Sequence, residues 1–176
     1  MDPLHFRLAT EADIDAVVQL VTRAYRGDAS RQGWTTEADL LDGERIDPGV
    51  LRADIARPRS RIVLGLRGDA LLACAHVADD GGQGYFGMFA VEPTRQGGGI
   101  GRAVVAECER IARDDWRLPR MCMTVIEQRT ELIAWYERLG YRRTGEHRPF
   151  PYGDARFGSP RRDDLRFEVL EKPLWT

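Results

Sequence analysis

Strand-like and helix-like apolar periods follow one another along this chain, which predicts a mixed sheet with helices on its faces, in the α+β or α/β class. Three observations carry that expectation. Three short apolar runs separated by glycine turns lie in series between residues 61 and 91, two amphipathic helical patterns follow, and two further strand-like runs close the chain. At 176 residues with 43% hydrophobic content, one substantial core can be buried and two are hard to supply, so a single domain over 1–176 is expected.

The elements follow in order. HFRLA (5–9) alternates as a short strand. Thr10, with Asp13 three residues on, is a helix-start signal, and Ile14, Val17, Val18, Val21 and Ala24 continue at helical spacing to about Tyr25. The segment 26–49 is polar and glycine-rich around a short helical stretch that Thr35 or Thr36 can cap, and it reads as surface loop. RIVLGL (61–66), a Gly68-Asp69 turn and LLACAHVA (71–78) predict a hairpin, and DDGGQG turns the chain into GYFGMFAV (84–91). Pro93 stops that strand, since proline cannot donate to a ladder.

After the glycines, Ile100, Val104, Cys108 and Ile111 or Ala112 share one helical face. MCMTVI (121–126) is short enough for a buried strand. Thr130 can cap a helix bearing Leu132, Ile133, Tyr136 and Leu139, with Gly140 as its stop. YRRTGE (141–146) and LRFEVLEK (165–172) are the closing strands, joined by an arginine- and proline-rich loop over 147–164 that is long for idle padding.

Charge and cysteine usage exclude several classes. A formal net charge of −2 gives no global positive field for nucleic acid or anionic membrane, so neither partner is expected. Lys172 is the only lysine among 26 cationic residues. Cys74, Cys108 and Cys122 are odd in number and lack Cys-x-x-Cys spacing, which suggests neither a disulfide framework nor a zinc site, and no metal is expected. The acidic, mixed N-terminus is unlike a signal peptide and no run of about 18 apolar residues occurs, so a cytoplasmic protein is expected.

RQGGGIGR (95–102) sets four glycines among five positions directly before a helix, a costly choice unless bare amides are needed there. A P-loop requires a lysine and a hydroxyl where Arg102 and Ala103 follow Gly101, and a dinucleotide fingerprint lacks its third glycine. Free amides at a helix N-terminus, backed by the helix dipole, can hold a pyrophosphate without either. A glycine-rich turn easing close helix-to-sheet contact is the bland alternative.

Gln96-x-x-Gly99-x-Gly101 after Ala90-Val91-Glu92-Pro93 fits the signature [QR]-x-x-G-x-[GA], and AWYERLGYRRTGE (134–146) is similar to L-Y-E-x-x-G-[FY]. With these two motifs and their spacing, the chain resembles the GNAT superfamily of N-acetyltransferases, strongly over 84–146 and in topology from residue 5. The resemblance implies an α+β fold, layered α/β/α, whose mixed and mostly antiparallel central sheet has about six to seven strands. It implies an acetyl-CoA-dependent N-acetyltransferase with acetyl-CoA as cosubstrate and a primary amine, by preference of a small molecule, as acceptor. Homodimers are common in the superfamily. A protein acceptor, or a CoA-binding module without turnover, are the other readings.

The same resemblance places the CoA on the backbone of Phe89, Ala90 and Val91, in a strand splayed from its neighbour with Gly87 easing the bulge, and on Gln96, Gly97, Gly98, Gly99, Ile100, Gly101 and Arg102. Tyr136 matches the family tyrosine that acts as general acid. Two positions depart from the pattern. Arg129 stands where many members have a CoA-contacting asparagine, and it either reaches a phosphate or is a solvated helix-start residue. Thr124 stands where some members carry a glutamate base and cannot deprotonate an amine. Candidates for the base are Glu127, Glu37, Glu44 and His76, or a chain of waters. Trp34, Thr35 and Glu37 lie where the family recognises its acceptor, and the 147–164 loop is expected over the same cleft.

Overall fold

A computed structural model describes residues 2–25, 41–42, 46–152, 159–160 and 163–175. In chain order the elements are β1 (Leu4–Leu8), α1 (Ile14–Tyr25), β2 (Leu41–Asp42), α2 (Pro48–Ala56), β3 (Ser60–Arg67), β4 (Ala70–Asp80), β5 (Gln83–Val91), α3 (Ile100–Arg110), β6 (Arg120–Ile126), α4 (Thr130–Arg138), β7 (Arg142–Pro149), β8 (Ser159–Pro160) and β9 (Arg166–Pro173). Seven strands form one sheet in the order β1-β3-β4-β5-β6-β9-β7. The β5–β6 neighbours are parallel and the others antiparallel, which matches the mixed, mostly antiparallel sheet expected.

Two cores sandwich the sheet because strand residues alternate between its faces. Ile62, Leu64 and Leu66 of β3 join Val17, Leu20 and Val21 of α1 and Leu51 of α2 on one face. Val63, with Ala75 and Val77 of β4 and Met121 and Met123 of β6, meets Val104, Cys108 and Ile133 of α3 and α4 on the other. The sequence leaves open whether Ile111 or Ala112 continues the face of α3, and the structure buries both. A π-helical turn over Ile111–Asp115 widens the spiral, so the Trp116 N–H donates to the Ile111 carbonyl at 3.2 Å and successive residues reach the core. Lys172 is held against α3, its Nζ 3.1 Å from Glu109 Oε1 and over the Tyr141 ring.

The start of the first helix behaves as the sequence predicts, through a short 3-10 turn at Glu11–Asp13. The Thr10 N–H donates to Asp13 Oδ2 at 2.8 Å, and Arg7 grips the same carboxylate with two nitrogens at 2.9 and 2.8 Å. The Arg7 hydrogen bonds hold the Asp13 carboxyl down to about 2, with the Thr10 N–H assisting. A folded pKa below the unfolded one gives stability that is fully present above about pH 4 and lost as pH falls toward 2. Because Arg7 is half-exposed, screening leaves about 1 kcal/mol. Asp13→Asn is expected to lower stability at pH 7 by that amount, with the gap to wild type closing between pH 4 and pH 2 in denaturant titrations.

Two corrections concern the loops. The segment before residue 60 contains α2, which the sequence reading leaves out: Asp47 caps it by accepting from the Gly49 and Val50 N–H groups at 2.7 and 3.2 Å, and Pro48 opens it. The predicted caps Thr35 and Thr36 lie outside the described residues. β7 runs on to Pro149, beyond the strand expected over 141–146. β2 and β8 pair antiparallel, Leu41 with Pro160 and Asp42 with Ser159, which ties the two long connections together at the backbone.

Candidate active site

The site forms where β5 leaves β6. Their pairing is confined to Gly84 with Met121 and Tyr85 with Cys122, after which no strand among the described residues pairs with that edge of β5. Beyond the point of separation β5 carries a bulge against β4: Cys74 pairs with Ala90 and His76 with Gly87, so Met88 and Phe89 together face Ala75. The sequence points to Gly87 as the residue easing this bulge, but the left-handed backbone belongs to Met88, at φ 50°. Gly87 serves a different need, since a Cβ there would overlap the Tyr85 ring.

The bulge fixes which peptide groups face the gap. In a strand, a residue's own N–H and C=O point to the same side. The Phe89 carbonyl accepts from the Tyr25 hydroxyl, and the Val91 carbonyl accepts from Gln96 Nε2 at 3.1 Å, while the Glu92 N–H donates back to Leu72 of β4 at 2.8 Å. Phe89 and Val91 therefore turn their backbone edges toward the gap, and Ala90, between them, faces β4.

Below that gap the glycine turn opens α3. Gly97 and Gly99 adopt φ 94° and 81°, with Gly99 as the N-cap, and neither has any atom within 4 Å of where a Cβ would stand. The first hydrogen bond across the cap runs from the Ala103 N–H to the Gly99 carbonyl at 3.1 Å, leaving earlier amides of the turn without an intrahelical acceptor. Gly101 meets a second requirement, because a Cβ there would sit 3.0 Å from Phe89 Cζ.

A cleft of about 690 Å³ runs from this turn between α3 and α4, lined by Phe89, Val91, Gln96, Gly97, Gly99, Gly101, Arg102, Trp135 and Arg138 among others. Its aromatic wall is a stack of Phe89 on Trp135, with ring centroids 5.8 Å apart and 13° between planes. Trp135 carries no expectation from sequence; its position beside Tyr136 on a helix facing the glycine turn is the signal that could have found it. Ala90 and Ile100 are buried behind the cleft, and Gly98 lies on the turn without lining it.

A smaller cavity of about 60 Å³ lies on the other side of Phe89. Tyr25, Thr124, Arg129, Tyr136 and Phe167 line it, and Phe89 lines both spaces. Tyr136 is 4% exposed and sits among Phe86, Phe89, Trp135 and Tyr141, at centroid distances from 5.1 to 6.4 Å. Tyr141 donates to Glu109 at 2.8 Å, and burial with that carboxylate pushes its phenol far up. Arg129 is the N-cap of α4, its guanidinium 5.3 Å from the Tyr25 ring centroid; it lines the small cavity and is absent from the walls of the large one.

The proposed bases fall elsewhere. His76 is buried on β4, 2.8 Å from Ser60 Oγ, and burial lowers its pKa. It lines neither space. Glu127 follows β6 but is taken up by Arg166 at 2.6 Å and by His147 at 3.7 Å, and His147 also meets the buried Glu168 at 3.1 Å. Glu37 and Glu44, with Trp34 and Thr35, lie outside the described residues.

A model of the acetyltransferase (GNAT) family matches residues 15–141. The chain belongs to this family. It is similar to an IAA acetyltransferase of Azospirillum brasilense, 32% identical over 91% of this chain and 92% of that one. It also matches a mycothiol acetyltransferase of Salinispora tropica, 38% identical over 38% of this chain, a match spanning only 22% of that relative's length. In fold it is similar to yncA of Salmonella typhimurium, a putative acetyltransferase solved with acetyl-CoA, with TM-score 0.70 and 18% identity over 98% of this chain and 94% of that one.

This GNAT protein is an acetyl-CoA-dependent N-acetyltransferase. Its residues fit the cosubstrate: left-handed glycines present bare amides at a helix N-terminus, Arg102 and Arg138 add positive charge, and the uncovered edge of β5 leads inward. No helix among the described residues is long and apolar enough to cross a membrane.

Proposed function

We propose that this enzyme acetylates a primary amine of a small molecule by direct attack on the thioester, through a tetrahedral intermediate, with Tyr136 as general acid. One observation carries the reading: Phe89 lines both the large cleft and the small cavity, so its backbone edge lies between a cosubstrate side and an acceptor side.

Acetyl-CoA, when bound, supplies an acetyl group activated as a thioester. The amides from Gln96 to Arg102 hold its diphosphate, and the edges of Phe89 and Val91 receive the pantetheine arm. The Phe89 N–H donates to the carbonyl oxygen as negative charge develops there, in a site held rigid by the bulge and by Tyr25. Tyr136 gives its proton to the sulfur as the carbon–sulfur bond breaks. Thr124 lines the small cavity and can accept or donate a hydrogen bond without acting as a base. Among the described residues lining that cavity there is neither a carboxylate nor an imidazole, which supports water as the carrier of the proton leaving the amine.

Calorimetry is expected to show saturable binding of CoA, and acetyl-CoA with an amine panel is expected to give thiol release proportional to enzyme. Saturable binding with no turnover on any amine would leave a CoA-binding module. Absence of binding by folded protein would remove the site altogether.

A further inference from the structure

We propose that Glu127, His147 and Glu168 form a binding site for a divalent cation of the zinc type, outside both the large cleft and the small cavity and independent of the acetyl-transfer reading. One donor atom from each lies within 4.8 Å of the others. Glu127 directly follows β6, and its N–H donates to the Arg166 carbonyl of β9 at 2.9 Å. Glu168 lies on β9, and His147, placed past a bulge in β7, pairs with it across the ladder. No local spacing announces the set, because its members come from three neighbouring strands.

The burial of Glu168 is the first argument for a cation. Its residue is 5% exposed, and a carboxylate taken out of water is costly unless positive charge meets it. Among the described residues its one side-chain partner is His147, whose Nε2 stands 3.1 Å from Oε2. The same Nε2 is 3.7 Å from Glu127 Oε2. A proton on Nε2 serves Glu168 but is out of hydrogen-bond range of Glu127, so a protonated imidazole leaves the second carboxylate unused. A tetrahedral zinc bound at about 2.0–2.1 Å sets its ligands about 3.3 Å apart, and the two observed separations bracket that value. One imidazole with two carboxylates also suits zinc better than magnesium or calcium, which take shells of oxygen.

The surroundings fit the same occupant. Arg166 Nε donates to Glu127 Oε2 at 2.6 Å, which orients that carboxylate from outside and leaves the oxygen a second lone pair. Two carboxylates against one guanidinium leave one net negative charge beside a neutral imidazole, which favours a cation. The His147 side chain is 31% exposed and gives an approach from solvent. A bound cation ties β7, the outermost strand, to β9 and to the end of β6, next to Phe167 in the wall of the small cavity.

The experiment titrates Zn²⁺ into chelator-treated full-length protein by calorimetry and records melting curves with and without the metal. Saturable binding of one Zn²⁺ per chain and a higher Tm are expected, with excess Mg²⁺ failing to compete. His147→Gln and Glu168→Gln are each expected to weaken binding by at least about ten-fold, since even the outer partners of metal ligands are worth that much, and to remove the shift in Tm. His147 is exposed, so its variant decides the matter even if Glu168→Gln folds poorly. No binding by wild type, equal affinity for Mg²⁺, or unchanged Zn²⁺ affinity in His147→Gln overturns the proposal. Binding lost in that variant while its Tm without metal stays at the wild-type value upholds it.

Discussion

Replacing Tyr136 by phenylalanine is expected to lower kcat by about a hundred- to a thousand-fold, the range in which a positioned proton donor acts. The ring contacts with Phe86, Phe89, Trp135 and Tyr141 depend on the aromatic face, which phenylalanine keeps. Folding and affinity for acetyl-CoA should therefore change little, and kcat and kcat/KM should fall together, the pattern of an interaction made only in the transition state. The check is steady-state kinetics with a melting curve on the same preparation. A variant within about three-fold of wild-type kcat would reduce Tyr136 to a core ring.

Gly99→Val should act on binding in place of chemistry. At φ 81° a β-branched residue is strained whatever the surrounding space, and strain of about 1–3 kcal/mol is enough to re-form the turn with its amides turned away. Loss of that cradle is expected to weaken CoA binding by at least about ten-fold in calorimetry. The core beneath is untouched, since no atom lies within 4 Å of the missing Cβ. Gly99→Ala, less strained, should fall between the two. Wild-type affinity in both variants would mean that the diphosphate is held elsewhere.

Most of the scaffold was legible because periodicity reports burial. Ile14, Val17, Val21 and Ala24, and later Ile100, Val104 and Cys108, are core residues, and their spacing is what a helix against a sheet imposes. α2 escaped notice for the same reason, since Leu51 is its single buried residue and no apolar stripe exists to be read. Its start was nonetheless written in Asp47-Pro48, a cap and a first-turn proline.

The site was legible in part. The glycine turn announced itself because glycine records backbone conformation directly, whereas the left-handed residue of the bulge is Met88, whose side chain gives no such sign. The placement of Arg129 against Tyr25 joins residues 104 positions apart, from the end of α1 to the start of α4, and no local pattern carries that contact.

An enzyme that stores a reactive thioester within its own cleft risks modifying itself. Here the protein has a single side-chain amine, Lys172, and that ammonium is engaged by Glu109 over an aromatic ring. Neither Lys172 nor Glu109 lines the large cleft, so the ion pair holds the amine away from it. Cationic surface supplied almost wholly by guanidinium groups therefore presents the thioester with next to nothing to acylate.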